Sequence, residues 1–431
     1  MSRSGEGRAG ALLRWGVLGA ALLGCGDAEI GGALAQEAFV WQRRWSPAVA
    51  AAVQESPVSS LLILMAEVSW ADAEPSVIWT TADLSALAQR GEPVGVVVRA
   101  DAFADGGAEV VAEVVEQILA RSAAAGMLID EVHLDVDVPT ARLPEYAGWL
   151  SAVRGVSGGL PLTITSLPDW LRSGAAGSVL EQTDGHVLQV HWLRWEDQPS
   201  GPMTVLVPEE AKRAVQRAGR LGVPFRVALP TYGYQVIRDE DGEVLGVVAE
   251  EGGASAARQE TVESDPAQLA ALIRTWSQAR PASMQGVIWF RLPVATDRQN
   301  WPRATLEAVM DGREPRRKLR AQALADGSGL FDVVITNTGE SRAALESVLV
   351  RWEGSLEAAD VLRGGRWQGG EQCGRMEPAA AVLAPGQSAA IGWVRILGTG
   401  VISADVMDPS AVDLAACGGL WSRPAGSDPA R

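Results

Sequence analysis

The stretch that most constrains the fold is Ile129 to Thr140, IDEVHLDVDVPT. Side chains alternate faces along a strand. Val132, Leu134 and Val136 therefore form one apolar row, and His133, Asp135 and Asp137 the opposite polar row. Pro139 ends the ladder just past them because it has no N–H to donate. Charged side chains are seldom buried without partners. A strand between amphipathic helices, apolar on one face and carrying two acids and an imidazole on the other, reads as a barrel wall with a site at its end.

The rest of the chain supplies the repeats that such a wall needs. Strand-like runs are predicted around residues 39–41, 61–68, 94–99, 131–137, 162–166, 186–192, 225–229 and 286–290, with helical patterns between most of them. Eight strands with intervening helices over residues 37–313 predict an α/β fold, a (β/α)8 TIM barrel. A doubly wound open sheet is the alternative, but no Gly-rich phosphate turn follows the first strand. An insertion is expected at about 235–264, with Asp241-Gly242 as a hairpin turn. From Glu314 a polar linker leads into short alternating runs broken by glycines, which predict a small antiparallel β-sandwich of Ig-like type over 314–431.

The N-terminal segment constrains location. Arg3, Arg8 and Arg14 precede a short apolar run, Trp15 to Gly24, below the ~20 residues that span a bilayer. It ends in Leu22-Leu23-Gly24-Cys25, which resembles a bacterial lipobox. The resemblance implies that residues 1–24 are a lipoprotein signal peptide, that Cys25 is lipidated, and that 25–36 form a linker. Asp27 is third rather than second from the new N-terminus, which by resemblance to bacterial sorting rules favours the outer membrane, facing the periplasm or the cell surface. Of the three cysteines this leaves Cys373 and Cys417. In an oxidising compartment they are expected to form a disulfide, contributing roughly 4 kcal/mol by loop closure. A formal charge of -16 argues against a nucleic-acid partner, and the chain is expected to be a monomer.

Active sites of such barrels lie at the C-terminal ends of the strands. The sequence places there Trp41, Glu67, Arg99, Asp101, Asp135, Asp137, Gln189, His191, Trp192, Tyr232, Trp289 and Arg291. The chain has 16 Trp against 3 Tyr and 5 Phe, many at these ends. Flat amphipathic rings beside carboxylates, Arg and Gln suit a sugar, whose C–H faces stack on indole while its hydroxyls bond to the polar groups. Glycoside cleavage needs an acid and a carboxylate or a substitute. Asp137, nearer the mouth, is expected to donate the proton, with Asp135 or Glu67 as base or nucleophile. By strand alternation His133 lies deepest, Asp135 above it and Asp137 outermost, and Asp135 would be held by His133, Arg291 or Gln189. Those acids with His133 and His191 could converge on a metal. An inward His beside an acid is more often a hydrogen-bonded core pair, so no metal and no cofactor are assigned.

Several segments also carry a family resemblance. RVALPTYGY, Arg226 to Tyr234, resembles the seventh strand of chitinase-like (family 18) glycoside hydrolases, and GVIWF, Gly286 to Phe290, resembles their eighth, whose terminal Trp floors a sugar subsite. Asp135-Val136-Asp137 is similar to the first two acids of that family's Asp-x-Asp-x-Glu, but Pro139 stands where the catalytic Glu should be. Taken together, HLDVDVPT, SLPDWL and LQVHWL more closely resemble exported bacterial proteins grouped as domain of unknown function 3142, a family with no established activity. Three readings follow: a glycoside-hydrolase-like lipoprotein acting on a poly- or oligosaccharide, a non-catalytic saccharide-binding lipoprotein, or a structural or interaction protein.

Overall fold

A computed structural model describes residues 28–407 apart from 72–73, 102, 196–202, 240–242, 249–257, 371 and 399. The signal segment 1–24, Cys25, the Asp241-Gly242 turn and Cys417 lie outside the described residues.

Eight parallel strands close into a barrel: β1 (Ala35–Val40), β2 (Ser60–Ala71), β3 (Val94–Ala100), β4 (Ile129–Val136), β5 (Leu162–Ser166), β6 (Gly185–Gln189), β7 (Phe225–Pro230) and β8 (Met284–Phe290). The ring runs β1-β8-β7-β6-β5-β4-β3-β2, and β1 returns to β2 in the register Glu37–Ser60 to Val40–Ile63. Runs of β-branched residues such as Val96, Val97 and Val98 favour strands because both faces are covered, one by helices and one by the barrel interior.

The helices sit outside. Gly107–Ala125 buries Val111, Val114, Val115 and Ile118 along one stripe and stops at Gly126, whose φ of 73° a side chain would disfavour. Pro208–Leu221 starts on a proline, where a missing N–H costs nothing, and stops at Gly222 with φ 71°.

The barrel interior is layered. At the N-terminal end Arg226 of β7 lies between Glu37 of β1 and Glu131 of β4, donating to both carboxylates at 2.5–2.9 Å. Gly95 leaves room for this cluster, since a Cβ there would come within 2.9 Å of the Glu131 side chain. Above it Phe39, Leu62, Val97, Val187, Ala228 and Ile288 form an apolar plug. His133 shares that layer, fully buried, with Nδ1 2.8 Å from Thr163 Oγ1 and Nε2 3.0 Å from Thr165 Oγ1.

Past β7 the chain makes a three-stranded antiparallel sheet, Gly233–Arg238 pairing with Val244–Val248 and Arg258–Glu263, where the insertion was expected. Residues 319–406 form two four-stranded antiparallel sheets that share one apolar cluster around Val333, Val350, Trp352, Met376 and Val394. Glu340 joins them to the barrel side of the chain, accepting from Arg313 and Arg316 while its carbonyl accepts from Thr305. The two guanidinium groups and the Arg316 backbone N–H hold its carboxyl down to about 2. Cys373 is buried on the strand Cys373–Glu377. Among the described residues no helix is long and apolar enough to cross a membrane.

Burial pushes the Glu37 carboxyl up, and the Arg226 cation beside it opposes that rise. Arg226→Met is expected to cost about 3–5 kcal/mol, the penalty for leaving buried charge uncompensated. The loss should shrink at low pH as the Glu37 carboxyl, raised by burial, takes up a proton, and chemical denaturation at pH 7.5 and 4.5 measures both.

Candidate active site at the barrel mouth

The strands end in a cavity of about 230 Å³ at the C-terminal face, below the ~300–1,000 Å³ of drug-sized sites. Phe39, Trp41, Tyr232, Tyr234 and Phe290 supply rings to its wall. Arg99, Asp135, Asp137, Thr165, Gln189, His191 and Arg291 supply the polar groups, and Val187 and Ala228 close the wall below.

Three neighbouring strands put a row of charge across one side. Glu67, Arg99 and Asp135 are register partners on β2, β3 and β4. Glu67 joins this row because β2 slips register between Leu64 and Ala66. Before the slip Leu62 and Leu64 face inward; with strict alternation Glu67 would have faced the helices. Arg43 binds Glu67 at 2.6–2.8 Å, and Glu67 does not line the cavity. Arg99 Nε lies 4.0 Å from Asp135 Oδ2, an ion pair without a hydrogen bond.

Asp135 is half-buried and Asp137 is exposed at the rim, just past the end of β4. Burial pushes the Asp135 carboxyl up to about 6; a hydrogen bond from Thr165 and the charge of Arg99 pull the other way, and Asp137 and Glu67 add to the rise. With its carboxyl half protonated near pH 6, Asp135 is a candidate for the proton-donor role that the sequence reading gave to Asp137. Its expected donors are also corrected. His133 spends both ring nitrogens on Thr163 and Thr165, Arg291 donates Nη2 and Nε to Asp297 at 2.6 and 3.0 Å, and Gln189 Nε2 donates to the His191 carbonyl. Burial also holds the His133 imidazole well below its usual range, hence neutral.

The opposite side of the cavity is built from residues after β6, β7 and β8. Tyr234 OH lies 2.9 Å from Tyr232 OH, which lies 3.4 Å from His191 Nδ1. His191 is buried to 2% exposure, with its pKa driven down to about 3 by burial. Its ring lies against Phe290, centroids 5.5 Å apart.

Trp289 is a correction. It is fully buried on the outer face of β8, donating to Gln36 Oε1 at 3.1 Å and packing 6.4 Å from Trp301. Alternation sends Ile288 and Phe290 inward and Val287 and Trp289 toward the helices, so Phe290 takes the floor position expected of the Trp. Trp192 is 40% exposed beneath Arg194 and, like the exposed Asp101, does not line the cavity. Phe39, Tyr234 and Thr165 also reach the cavity, each on the inward-facing row of its own strand. Among the described residues no group of three or more His, Cys, Asp or Glu is placed to hold a metal ion.

Fold and site together define a closed (β/α) barrel with a polar, aromatic-walled mouth. Residues 90–295 match the family described as domain of unknown function (DUF3142), the family resembled in sequence. No curated protein matches the chain. Solved structures similar to it include a chitinase from Chromobacterium violaceum ATCC 12472, 14% identical over 65% of this chain and 99% of that one with a TM-score of 0.43. The spore cortex-lytic enzyme SleL of Bacillus cereus is 13% identical over 66% and 75%, TM-score 0.45. The GH18 chitinase ChiB of Flavobacterium johnsoniae is 10% identical over 65% and 94%, TM-score 0.43.

A carboxyl raised from its unfolded value near 3.9 to about 6 binds a proton in the folded state that the unfolded chain has already released. Stability is therefore lost as pH rises from about 4 to 6 and is level above. Relative to wild type, Asp135→Asn should gain up to about 3 kcal/mol between pH 4 and pH 8, read as the difference in denaturation free energy at the two pH values.

Proposed function

We propose that the barrel mouth binds and cleaves a saccharide, with Asp135 as the proton-bearing acid and Asp137 as the second carboxylate. One observation carries the reading: a half-buried carboxylic acid and a solvated carboxylate on one strand end face a cavity walled by Trp41, Tyr232, Tyr234 and Phe290. Rings of that kind stack on sugar C–H faces, and two carboxyls in unlike surroundings divide into acid and base.

Pro139, standing where the chitinase-like pattern has its Glu, favours a second reading in which the mouth binds saccharide without turnover. A panel of polysaccharides separates the two. Release of reducing ends by wild type, reduced at least ~100-fold in Asp135→Asn as expected on removal of a general acid, supports cleavage. Binding on a glycan array with no reducing ends released assigns the second reading, and neither binding nor release removes both.

The N-terminal segment supports export and anchoring: a basic start, a short apolar run and Leu22-Leu23-Gly24-Cys25 suit acylation of Cys25, the outer membrane as destination, and a Cys373–Cys417 bridge in an oxidising compartment. Cells fed labelled palmitate should label the wild-type chain and not Cys25→Ser, which should fractionate away from membranes.

A further inference from the structure

The two sides of the cavity differ in kind. Asp135 and Asp137 end β4 on one side. In the closed ring β8 lies diametrically opposite β4, and Arg291 follows it directly, with His191 and Tyr232 following the adjoining β6 and β7. The acid side already has its own cation in Arg99. The far side presents donors.

Two of these donors lack an acceptor. Arg291 is 9% exposed; Asp297 takes its Nε and Nη2, and Nη1 has no hydrogen-bond partner among the described residues. His191 Nε2 is buried and also lacks one. In the tautomer in which Tyr232 donates to His191 Nδ1, Nε2 carries the hydrogen. A buried N–H with nothing to donate to is uncommon and asks for a partner. Asp297 also receives the Gln299 backbone N–H on its other oxygen, so the guanidinium is held in place. With its Nε/Nη2 edge taken by Asp297, the guanidinium keeps Nη1 for a ligand, and it lines the same cavity as the His191 imidazole, a pairing that suits an oxyanion.

We infer that the sugar taken by this cavity carries a carboxylate, seated against Arg291 and the Nε2–H of His191, with the rest of the ring turned toward Asp135 and Asp137. The inference rests on the saccharide reading above and names its ligand class: an acidic sugar rather than a neutral one. It does not depend on cleavage, since the donor side is separate from the two acids.

Matched pairs that differ by one carboxylate test it, with binding to the full-length protein followed by ligand-observed NMR titration: glucuronate against glucose, and N-acetylmuramate against N-acetylglucosamine. The acidic member of each pair should bind at least about tenfold more tightly. Arg291→Gln and His191→Phe should each erase most of that preference, lowering the acidic sugar's affinity at least about fivefold more than the neutral sugar's. His191→Phe keeps the ring against Phe290, so it remains informative if Arg291→Gln lowers the melting temperature. Equal affinity within each pair, or a preference that survives both substitutions, overturns the inference and leaves the saccharide reading standing. Binding of none of the four sugars, nor of any glycan on an array, removes the saccharide reading itself. A preference lost in both variants together with the neutral sugar's binding overturns the assignment of the carboxylate to these two residues.

Discussion

The structure depends on the closing ladder between β1 and β2, from Glu37–Ser60 to Val40–Ile63. Without it the eight strands would be an open sheet with two unpaired edges. With it, every strand has two neighbours and alternate residues are confined to a narrow interior. Closure decides which side chains meet. It curls the sheet so that Glu131 of β4 reaches across the interior to Arg226 of β7, which also holds Glu37 of β1.

That interior is graded. Charge is neutralised at the N-terminal end, the middle is apolar apart from His133 and its two threonines, and the polar groups at the C-terminal end face a cavity. The apolar middle is what makes the mouth chemically useful. It denies Asp135 solvent from below, and burial is the largest cause of its raised carboxyl. Asp137, one pleat higher and past the ladder, is exposed. The raised proton affinity of Asp135 thus comes chiefly from its depth in the barrel, with its sequence neighbour Asp137 adding less.

The inferred ligand fits the same geometry. A ring-sized cavity with acids on one wall and unsatisfied donors on the opposite wall is polar in a defined direction, so a ligand with matching polarity enters one way round. Electrostatic arrangement of this sort contributes more to orientation and selectivity than to raw affinity. The insertion sheet contributes Tyr234 from its first strand, which places a segment outside the barrel repeat in contact with the ligand space.

Alternation along single strands made much of this legible in the sequence. The eight strand runs, the inward row of His133, Asp135 and Asp137, and the placement of Arg99, Gln189, His191, Tyr232 and Arg291 at the mouth all follow from period-two patterning and from where the runs stop. What the sequence did not determine are the departures from strict period and the pairings across the ring. The register slip at Met65 turns Glu67 inward, and the neighbour that binds it there is Arg43. The parity of β8 turns Trp289 outward and Phe290 inward. Whether Arg291 meets Asp135 or Asp297 depends on which loop returns over the barrel end. These are consequences of closure: a one-residue shift costs little locally yet reverses a side chain's face, and only the closed ring, by burying one face completely, selects between the alternatives.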